Sequence, residues 1–448
     1  MDLSGKNILV IGLGKTGMAT AFFLAHRGAC VFVSDQKPEA ENAAALQELR
    51  NRGISAIFLP YTPAAVRNTD MVIPSPGIPP SDPLLVEAVR NKIPVHSELE
   101  MACHFLKPPM VAITGTNGKT TTTTLAGEIL RDAGKKVFVG GNIGVPLIQY
   151  CDGPQDDDFV LAEVSSFQLQ WVNNFHAHCA VLLNTTCDHV NYHGSFAAYR
   201  EAKERIFLNQ SEKDLAVLNA DEDYTQALSS RLKARTLFFS SQQQVDHGFF
   251  LQGNRMILSG FGKADEAYPL EMVKIPGRHN IENIMAAVMV ARQCTCPPEL
   301  IVQTVSNFRG VAHRIEFVTE KQGVFYYDDS KGTNVGAVIR ALETFPHSVI
   351  LLLGGRDKDG DFESLAPLIE ERVKVLILFG EARERIREKV GRFVETEVRQ
   401  TLREAVMESH RRAIAGDIVL LSPGCASFDE FKDYKDRGLF FQSLVRQL

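Results

Sequence analysis

The sequence predicts an α/β protein made of three successive blocks of largely parallel sheet. Short apolar runs of strand length alternate with helix-compatible segments along nearly the whole chain. This alternation is typical of parallel sheets whose strands are joined by helices. The chain has 448 residues, which exceeds the roughly 100–200 residues of one typical domain. We therefore expect three domains, at residues 1–98, 99–311 and 312–448.

The expected elements follow in order along the three blocks. The first block has a helical pattern at Gly17–Arg27, and its expected strands are Asn7–Ile11, Cys30–Ser34, Ala56–Leu59, Met71–Ile73 and Val95–His96. The second opens after Pro108-Pro109 and ends on a helix near Ile281–Arg292, and its expected strands are Met110–Thr114, Phe159–Glu163, Ala180–Asn184 and Leu215–Asn219. The third has expected strands at Val324–Asp328, Val349–Leu353, Val375–Phe379 and Ile418–Leu421.

The composition excludes several classes of protein. Hydrophobic residues make up 45% of the chain and charged residues 23%, which suits a globular protein with a buried core. The net charge is -6 without a basic stripe, so we expect no nucleic-acid partner. The apolar runs are far shorter than the roughly 20 residues of a membrane helix, and no leader pattern follows Met1. We therefore expect no membrane insertion and a cytoplasmic location. The eight cysteines lack metal-ligand spacing, which indicates reduced thiols.

The strongest local motif is Thr114-Gly115-Thr116-Asn117-Gly118-Lys119-Thr120, between an apolar strand and a helix-compatible run. Glycines let such a loop turn tightly and aim backbone N–H groups at phosphate oxygens. Lys119 can then reach the β- and γ-phosphates of a nucleotide, and the Thr120 hydroxyl can hold Mg²⁺. The general pattern has a further glycine where this chain has Ile113, so the loop is a shortened form. The alternative is a structural strand-to-helix turn with a surface lysine.

A second glycine turn, Gly12-Leu13-Gly14-Lys15-Thr16-Gly17, follows the first strand, and Asp35 ends the next strand. This arrangement matches the dinucleotide-binding pattern, so an NAD-dependent oxidoreductase is one alternative. The same geometry can hold the diphosphate of a UDP-sugar, which suits a chain that also carries an ATP loop. A purely structural turn is the third interpretation. The turn Ser75-Pro76-Gly77-Ile78-Pro79 either closes over the same ligand or is a plain loop.

Three residues of the second block are candidates for metal chemistry. Glu163 ends an apolar strand, where carboxylates of α/β sheets face the ligand crevice and can bind Mg²⁺. His189 follows the next strand, and Lys203 lies on a helical segment. Each also has an ordinary interpretation, as a solvated glutamate, a structural histidine and a surface lysine. A buried, deprotonated lysine can instead react with CO₂ to give a carbamate anion that binds a cation.

Two polar segments of the third block each follow a strand and precede a helix-compatible run. They are Asp328-Asp329-Ser330-Lys331-Gly332-Thr333-Asn334 and Ser422-Pro423-Gly424-Cys425-Ala426-Ser427. Carboxylates, an ammonium group and helix N-termini at such places suit an anionic substrate and a nucleotide ribose. The alternative for each segment is plain helix capping.

Taken together, these motifs resemble the Mur ligase family. Their order is TGTNGKT, EVSSFQL, DH, EAK, GRHNxxN, HR, DDSKGTN and GGRDK, with IGLGKTG and SPGCASFDEFKDY near the two ends. The resemblance spans nearly the whole chain, and the shortened loop is the family's own form. It implies Rossmann-like first and third domains around a central sheet like that of P-loop ATPases.

The resemblance also implies a role for individual residues. The implied ATP contacts are Gly115, Thr116, Asn117, Gly118, Lys119, Thr120, Thr121, Asn283, Arg314 and Asp329. The implied UDP-substrate contacts are Gly14, Thr16, Asp35, Gln36, Lys37, Gly77 and Asn142. Those for D-glutamate are Lys331, Thr333, Ser427 and Tyr434, where the family's best-known pattern has Phe in place of Tyr434. Two Mg²⁺ ions are expected on Thr120, Glu163, His189 and Lys203, with Lys203 carbamylated. Lys119, His189 and Lys203 are the expected catalytic residues.

The implied activity is ATP-dependent amide formation in peptidoglycan precursor synthesis. The carboxylate of UDP-N-acetylmuramoyl-L-alanine is expected to be activated as an acyl phosphate and then attacked by D-glutamate, with the protein acting as a monomer. One alternative is another ligase of the family or of the folylpolyglutamate type. Two more distant alternatives are the NAD-dependent oxidoreductase and a nucleotide-binding protein without catalysis.

Overall fold

A computed structural model of the chain describes residues 1–262, 264–357 and 359–448. The motif residue Lys358 of GGRDK lies outside the described residues. Two compact units are present, Met1–Met272 with Asn283–Val305 and Val273–Glu282 with Ser306–Leu448. Two sheets lie in the first unit and one in the second, which confirms the predicted α/β class within the described residues. The domain limits near residues 98 and 311 stay predictions.

The N-terminal sheet is parallel, with the strand order β3-β2-β1-β4. Its strands are β1 (Asn7–Ile11), β2 (Cys30–Ser34), β3 (Ile57–Phe58) and β4 (Met71–Pro74). The helices of this part are α1 (Lys15–His26), α2 (Ala43–Asn51), α3 (Pro83–Arg90) and α4 (Glu98–Cys103). The predicted strand at Val95–His96 is only a bridge from Val95 to Val72. Pro94, which has no N–H, precedes this short run, and the Ser97 side chain caps α4 directly after it.

Successive apolar side chains of β1 point to opposite faces, which explains why both faces of this sheet are covered. Ile8 and Val10 join one hydrophobic cluster, whereas Leu9 and Ile11 join another on the opposite face. Successive side chains of a strand point to opposite faces, so a continuous apolar run buries both. Helix α1 packs Phe23 against the first cluster.

The central sheet has the strand order β13-β12-β11-β10-β9-β8-β5-β7-β6. Its strands are β5 (Met110–Thr114), β6 (Val137–Gly141), β7 (Phe159–Glu163), β8 (Cys179–Leu182), β9 (Leu215–Asn219), β10 (Arg235–Ser240), β11 (Gly248–Gln252), β12 (Arg255–Leu258) and β13 (Glu266–Pro269). The accompanying helices are α5 (Lys119–Asp132), α6 (Leu147–Tyr150), α7 (Ser166–Leu169), α8 (Val190–His193), α9 (Phe196–Glu204), α10 (Thr225–Ser229), α11 (Arg278–Gln293) and α12 (Pro298–Asn307).

The antiparallel end of this sheet, β11 to β13, was not predicted from the sequence. Its strands are short, and their apolar alternation is weak. A signal was available, because Gly253-Asn254 separates β11 from β12 and Gly253 has a φ of +60°. A glycine and an asparagine between two short apolar runs indicate a hairpin turn.

The third sheet has the order β14-β15-β19-β16-β17-β18 and is parallel except for its edge strand β14. Its strands are β14 (Glu316–Lys321), β15 (Val324–Asp328), β16 (Val349–Gly354), β17 (Val373–Phe379), β18 (Thr396–Val398) and β19 (Ile418–Gly424). Its helices are α13 (Val335–Thr344), α14 (Ala366–Arg372), α15 (Arg383–Val390), α16 (Leu402–Arg412) and α17 (Tyr434–Gln447). Alternate residues of β16 again fill the two faces, Leu351 on one and Ile350 on the other.

Strand order in the central sheet positions the site. Strand β5 lies between β8 and β7, all parallel, with Ile113 opposite Glu163 and Thr114 opposite Leu182. The carboxyl ends of these strands therefore meet at one edge, where ligands of α/β sheets bind. None of the helices in the described ranges has both the length and the apolar composition of a bilayer-crossing segment.

Candidate active site

The glycine loop after β5 requires glycine at its last turn. Gly118 caps α5 in the left-handed region, with a φ of 86°. A Cβ atom there would lie 2.1 Å from Oδ1 of Asn283. Glycine enters this region readily because it has no Cβ, and the close approach of Asn283 adds a second reason. The structure thus brings Asn283 to the loop, as the sequence predicts.

Asn184, just after β8, and Tyr199 of α9 hold the loop in shape. Asn184 accepts the N–H of Thr116 at its backbone oxygen (2.9 Å) and the N–H of Asn117 at Oδ1 (2.9 Å). Its side-chain amide donates to the Asn117 carbonyl at 3.1 Å. Thr116 Oγ1 lies 2.9 Å from the hydroxyl of Tyr199. Sequence reasoning missed Asn184 and Tyr199, although a polar residue directly after a parallel strand is a usable signal for Asn184.

The loop brings together groups that can bind an anion. The first N–H groups of an α-helix have no intrahelical acceptor and carry partial positive charge, and in α5 they belong to Lys119, Thr120 and Thr121. The Lys119 ammonium lies over the loop and donates to the carbonyls of Gly115 (2.8 Å) and Thr116 (2.9 Å). The predicted loop residues therefore lie together at the start of α5.

Oxygen and amide groups of three elements meet beside the loop. Glu163, only 2% exposed, accepts a hydrogen bond from the Thr120 hydroxyl (2.8 Å) and one from the Asn142 amide (2.8 Å). The N–H of Asn142 also donates to the Glu163 carbonyl at 2.8 Å. Carboxylate and hydroxyl oxygens are ligands that Mg²⁺ prefers, so Thr120 and Glu163 fit this ion.

Lys203 lies in the same place and is buried, with 1% exposure. Its Nζ donates to the Gly115 carbonyl at 2.8 Å and lies 4.7 Å from the ring centre of Tyr199. Burial, and then the nearby Lys119 ammonium, lower the pKa of Lys203 well below its ordinary value. An ammonium does not bind a cation, but a neutral amine can attack CO₂, and the resulting carbamate oxygens would suit Mg²⁺.

His189 belongs to an aromatic cluster with Phe167 and Tyr199. It has a left-handed φ of 52° and precedes the short helix α8. Its ring lies 4.7 Å from that of Phe167, and its Nε2 lies 3.6 Å from Asp188 Oδ2. His193, which sequence reasoning missed, contacts the Ser166 hydroxyl at 3.0 Å. Burial, followed by the charges of His189 and Lys203, lowers the pKa of His193 to about 4, so this imidazole is neutral at pH 7.

The N-terminal glycine turn lines a cavity of about 310 Å³. Its walls contain the predicted residues Gly14, Thr16 and Asn142, together with Ser75 and Gln168. The Ser75 hydroxyl donates to the Gly12 carbonyl at 3.0 Å and so connects the two turns of this part of the chain. Gly77 lies in the same turn as Ser75, whose carbonyl accepts the N–H of Ile78 (3.0 Å).

Asp35 stabilises the glycine turn itself. One carboxylate oxygen accepts the N–H of Leu13 (2.8 Å) and the other accepts the N–H of Lys37 (2.9 Å). A second cavity, of about 400 Å³, begins at Asp35 and is also lined by Gln36, Lys37 and Tyr61. All the predicted UDP-substrate residues except Gly77 thus line one of two cavities, one at the glycine turn and one after β2.

In the second compact unit, the loop after β15 carries buried acidic groups. Asp329 is 6% exposed and accepts the Ser422 hydroxyl at 2.7 Å. Burial raises the pKa of Asp329 to about 7, although Ser422 and Arg314 act in the opposite direction. Asp328 lies 2.6 Å from Nδ1 of His313, and this hydrogen bond raises the pKa of the histidine. Arg314 is near enough to Asp329 for its charge to act on that carboxyl group.

Two of the four predicted D-glutamate residues, Lys331 and Tyr434, are in contact. The Lys331 ammonium lies 3.8 Å from the ring centre of Tyr434, so the ring that replaces Phe in the family pattern still makes a cation–π contact. Ser427 is buried, and Thr333 lies two residues beyond Lys331. Sequence reasoning missed Arg437, a fully buried cation that donates to the carbonyls of Ser330 (2.9 Å) and Cys425 (3.1 Å). Arg437 therefore connects the loops after β15 and β19.

A lysine-bearing phosphate loop beside an acidic strand end and a buried lysine defines a nucleotide-dependent phosphoryl-transfer enzyme of the α/β class. Sequence models of three domains match the chain. They are the Mur ligase middle domain at residues 113–291, the MurD-like N-terminal domain of Mur ligases at residues 6–97, and the glutamate ligase domain of Mur ligases at residues 313–425.

Relatives match over the full length. The UDP-N-acetylmuramoylalanine--D-glutamate ligase of Syntrophus aciditrophicus is 57% identical over 100% of this chain and 99% of its own. The protein of the same name from Koribacter versatilis is 43% identical with the same coverage. The crystal structure of the UDP-N-acetylmuramate-alanine ligase of Thermotoga maritima shares the fold, with a TM-score of 0.58, 18% identity and 99% coverage of both chains. The chain therefore belongs to the Mur ligase family of ATP-dependent, amide-forming ligases.

Proposed function

We propose that this chain joins D-glutamate to UDP-N-acetylmuramoyl-L-alanine at the expense of ATP. One observation carries the proposal. Lys119, Thr120, Glu163 and Lys203 meet at the carboxyl ends of β5 and β7, beside a cavity lined by the N-terminal glycine turn. The relative that is 57% identical is named UDP-N-acetylmuramoylalanine--D-glutamate ligase, which supports the choice of substrates.

Activation of the carboxylate comes first, because a carboxylate oxygen is a poor leaving group. An oxygen of the alanyl carboxylate attacks the γ-phosphorus, the bond to the bridging β,γ-oxygen breaks, and ADP leaves an acyl phosphate behind. The Lys119 ammonium and the first N–H groups of α5 neutralise charge on the transferring group. Positioning and electrostatic stabilisation supply most of the catalysis in such transfers.

Two Mg²⁺ ions are part of the proposal. Thr120 and Glu163 would hold one, and His189 with carbamylated Lys203 would contribute to the second. Bound Mg²⁺ supplies positive charge to the phosphate oxygens. For the carbamate, the neutral Lys203 amine forms an N–C bond with CO₂ and releases one proton. The burial and lowered pKa of Lys203 support this step.

Amide formation follows when the D-glutamate amine attacks the acyl carbon and phosphate leaves. We assign D-glutamate binding to Lys331, Thr333, Ser427 and Tyr434, which the cation–π contact of Lys331 with Tyr434 supports. Arg314, Asp329 and Asn283 are assigned to the nucleotide. The UDP-substrate is assigned to Gly14, Thr16, Asp35, Gln36, Lys37, Gly77 and Asn142, most of which line the two cavities. We expect a monomeric, cytoplasmic enzyme, which size-exclusion chromatography and cell fractionation test.

The direct test is phosphate release by the purified protein with ATP, Mg²⁺, UDP-N-acetylmuramoyl-L-alanine and one amino acid at a time. D-Glutamate should support turnover, while L-glutamate, L-lysine and meso-diaminopimelate should not. Release that depends on another amino acid would assign a different ligase activity. Nicotinamide absorbance changes without an ATP requirement would indicate an oxidoreductase, and ATP binding without turnover would indicate a non-catalytic protein.

A matched pair of lysine variants tests the phosphate loop. Lys119→Ala should lower turnover by at least about a hundredfold, because one charge on the transferring group is then uncompensated. Lys136→Ala serves as the control, since that side chain is 69% exposed at the end of the same helix–loop segment. Wild-type turnover in Lys119→Ala would remove the phosphate-loop assignment.

A further inference from the structure

A single hydroxyl connects the N-terminal part of the first compact unit to the segment after β8 that carries His189. The Tyr192 hydroxyl donates to the carbonyl of Ile78 at 2.9 Å, across 114 positions of sequence. Ile78 belongs to the turn Ser75–Pro79, and its N–H donates to the Ser75 carbonyl. Ser75 and Pro76 line the 310 Å³ cavity at the glycine turn.

The ring of Tyr192 connects the same hydroxyl to His189 through Phe167. It packs on Phe167 with 4.3 Å between ring centres, and Phe167 in turn packs on His189 at 4.7 Å. Phe167 also faces the ring of His193 at 5.8 Å. Burial raises the pKa of Tyr192, so its hydroxyl keeps its proton and remains a donor.

We propose that Tyr192 is a positioning residue. It holds the Ser75–Pro79 turn of the substrate cavity at a fixed distance from His189. The inference rests on the proposed function, because it assigns the cavity to UDP-N-acetylmuramoyl-L-alanine. The hydroxyl fixes the turn at one end of the connection, and the ring supports Phe167 and His189 at the other. The alanyl carboxylate must reach the phosphate loop while the rest of the substrate lies in the cavity, so the relative placement of the two parts determines the reacting distance.

The two ends of the connection can be tested separately. Tyr192→Phe removes only the hydroxyl, so the KM for UDP-N-acetylmuramoyl-L-alanine should rise roughly 2- to 10-fold, the value of one net hydrogen bond. The KM values for ATP and D-glutamate should stay at wild-type values, and the thermal midpoint should fall no further than in a control variant that loses one other tyrosine hydroxyl. Tyr192→Leu also removes the ring, so kcat should fall as well because Phe167 and His189 lose their support.

Tyr268→Phe is the matched control. The Tyr268 hydroxyl donates to Glu266 at 2.6 Å in the antiparallel part of the central sheet, so its removal tests the general effect of losing a buried tyrosine hydroxyl. This variant should have wild-type kinetic constants. Calorimetric binding of UDP-N-acetylmuramoyl-L-alanine to the wild type and to Tyr192→Phe gives the same comparison without turnover.

The outcomes distinguish the inference from the proposed function. A wild-type protein that neither binds this substrate nor turns it over overturns the proposed function and the inference with it. If the wild type is active and Tyr192→Phe has the same KM for this substrate, the inference alone fails. If the three KM values of Tyr192→Phe rise together, or if its thermal midpoint falls well below that of Tyr268→Phe, Tyr192 has a general structural role, and the inference also fails.

Discussion

Gly118 offers a test in which the structure sets the size of the effect. Its φ of 86° lies in the left-handed region, and a Cβ there would meet Oδ1 of Asn283 at 2.1 Å. Alanine in this backbone conformation costs about 1–2 kcal/mol. Crowding in a well-packed site costs about 1–3 kcal/mol more. Asn283 must also move, and its contact with Thr122 (3.4 Å) is then disturbed.

Gly134 supplies the control at the other end of α5. It also has a positive φ, of 75°, but a Cβ there would meet nothing within 4 Å. Gly134→Ala should therefore lose only the cost of placing alanine in the left-handed conformation, about 1–2 kcal/mol of unfolding free energy. Gly118→Ala should lose about 2–5 kcal/mol, the sum of the backbone and crowding shares. The difference between the unfolding free energies of the two variants measures the cost of crowding against Asn283.

Two assays are needed, because stability and nucleotide binding respond differently. Urea unfolding gives the free energy of each variant, and calorimetry with ATP and Mg²⁺ gives the affinity. Gly118→Ala should weaken ATP binding by about a hundredfold, since about 3 kcal/mol of local distortion must be overcome. Gly134→Ala should bind ATP as the wild type does. Equal ATP affinity in both variants would refute the argument that the loop needs glycine to accommodate Asn283.

Three further substitutions address the metal groups and acid stability. Lys203→Met should abolish ligation. The thermal midpoint should stay equal or rise, because an apolar chain of similar length replaces a buried amine. Substantial turnover in this variant would contradict the proposed carbamylation of Lys203. Glu163→Gln should raise the Mg²⁺ concentration for half-maximal phosphate release at least about tenfold, and an unchanged Mg²⁺ titration would remove this ligand assignment. Burial, then the charges of two arginines, lowers the pKa of His279 from 6.5 to about 4. Its neutral form therefore stabilises the fold above pH 6.5, and up to about 3 kcal/mol is lost as the pH falls towards 4. In His279→Gln, the unfolding free energy measured with urea should depend less on pH between 6.5 and 4. An equal pH dependence in the variant and the wild type would argue against this role of His279.

Much of the fold could be predicted because local pattern and tertiary role agree. Strands such as β5 and β9 are continuous apolar runs, and the structure buries every one of their residues. The phosphate loop could be found because its chemistry depends on consecutive residues, glycines that turn and a lysine at the helix start. The β11–β13 meander was missed because its short strands have weak alternation and their pairing depends on the rest of the sheet.

The sequence by itself determined the α/β class, the position of the phosphate loop and the candidate residues at strand ends, because each depends on neighbouring residues. Only the tertiary structure decided which strand ends meet. The order β8-β5-β7 places Asn184 and Glu163 on either side of the loop, although they lie 67 and 43 positions from the residues they contact. It also decided that Lys203 is buried against the Gly115 carbonyl. Burial is a property of the packed sheet and its helices, and it lowers the pKa of an otherwise ordinary lysine.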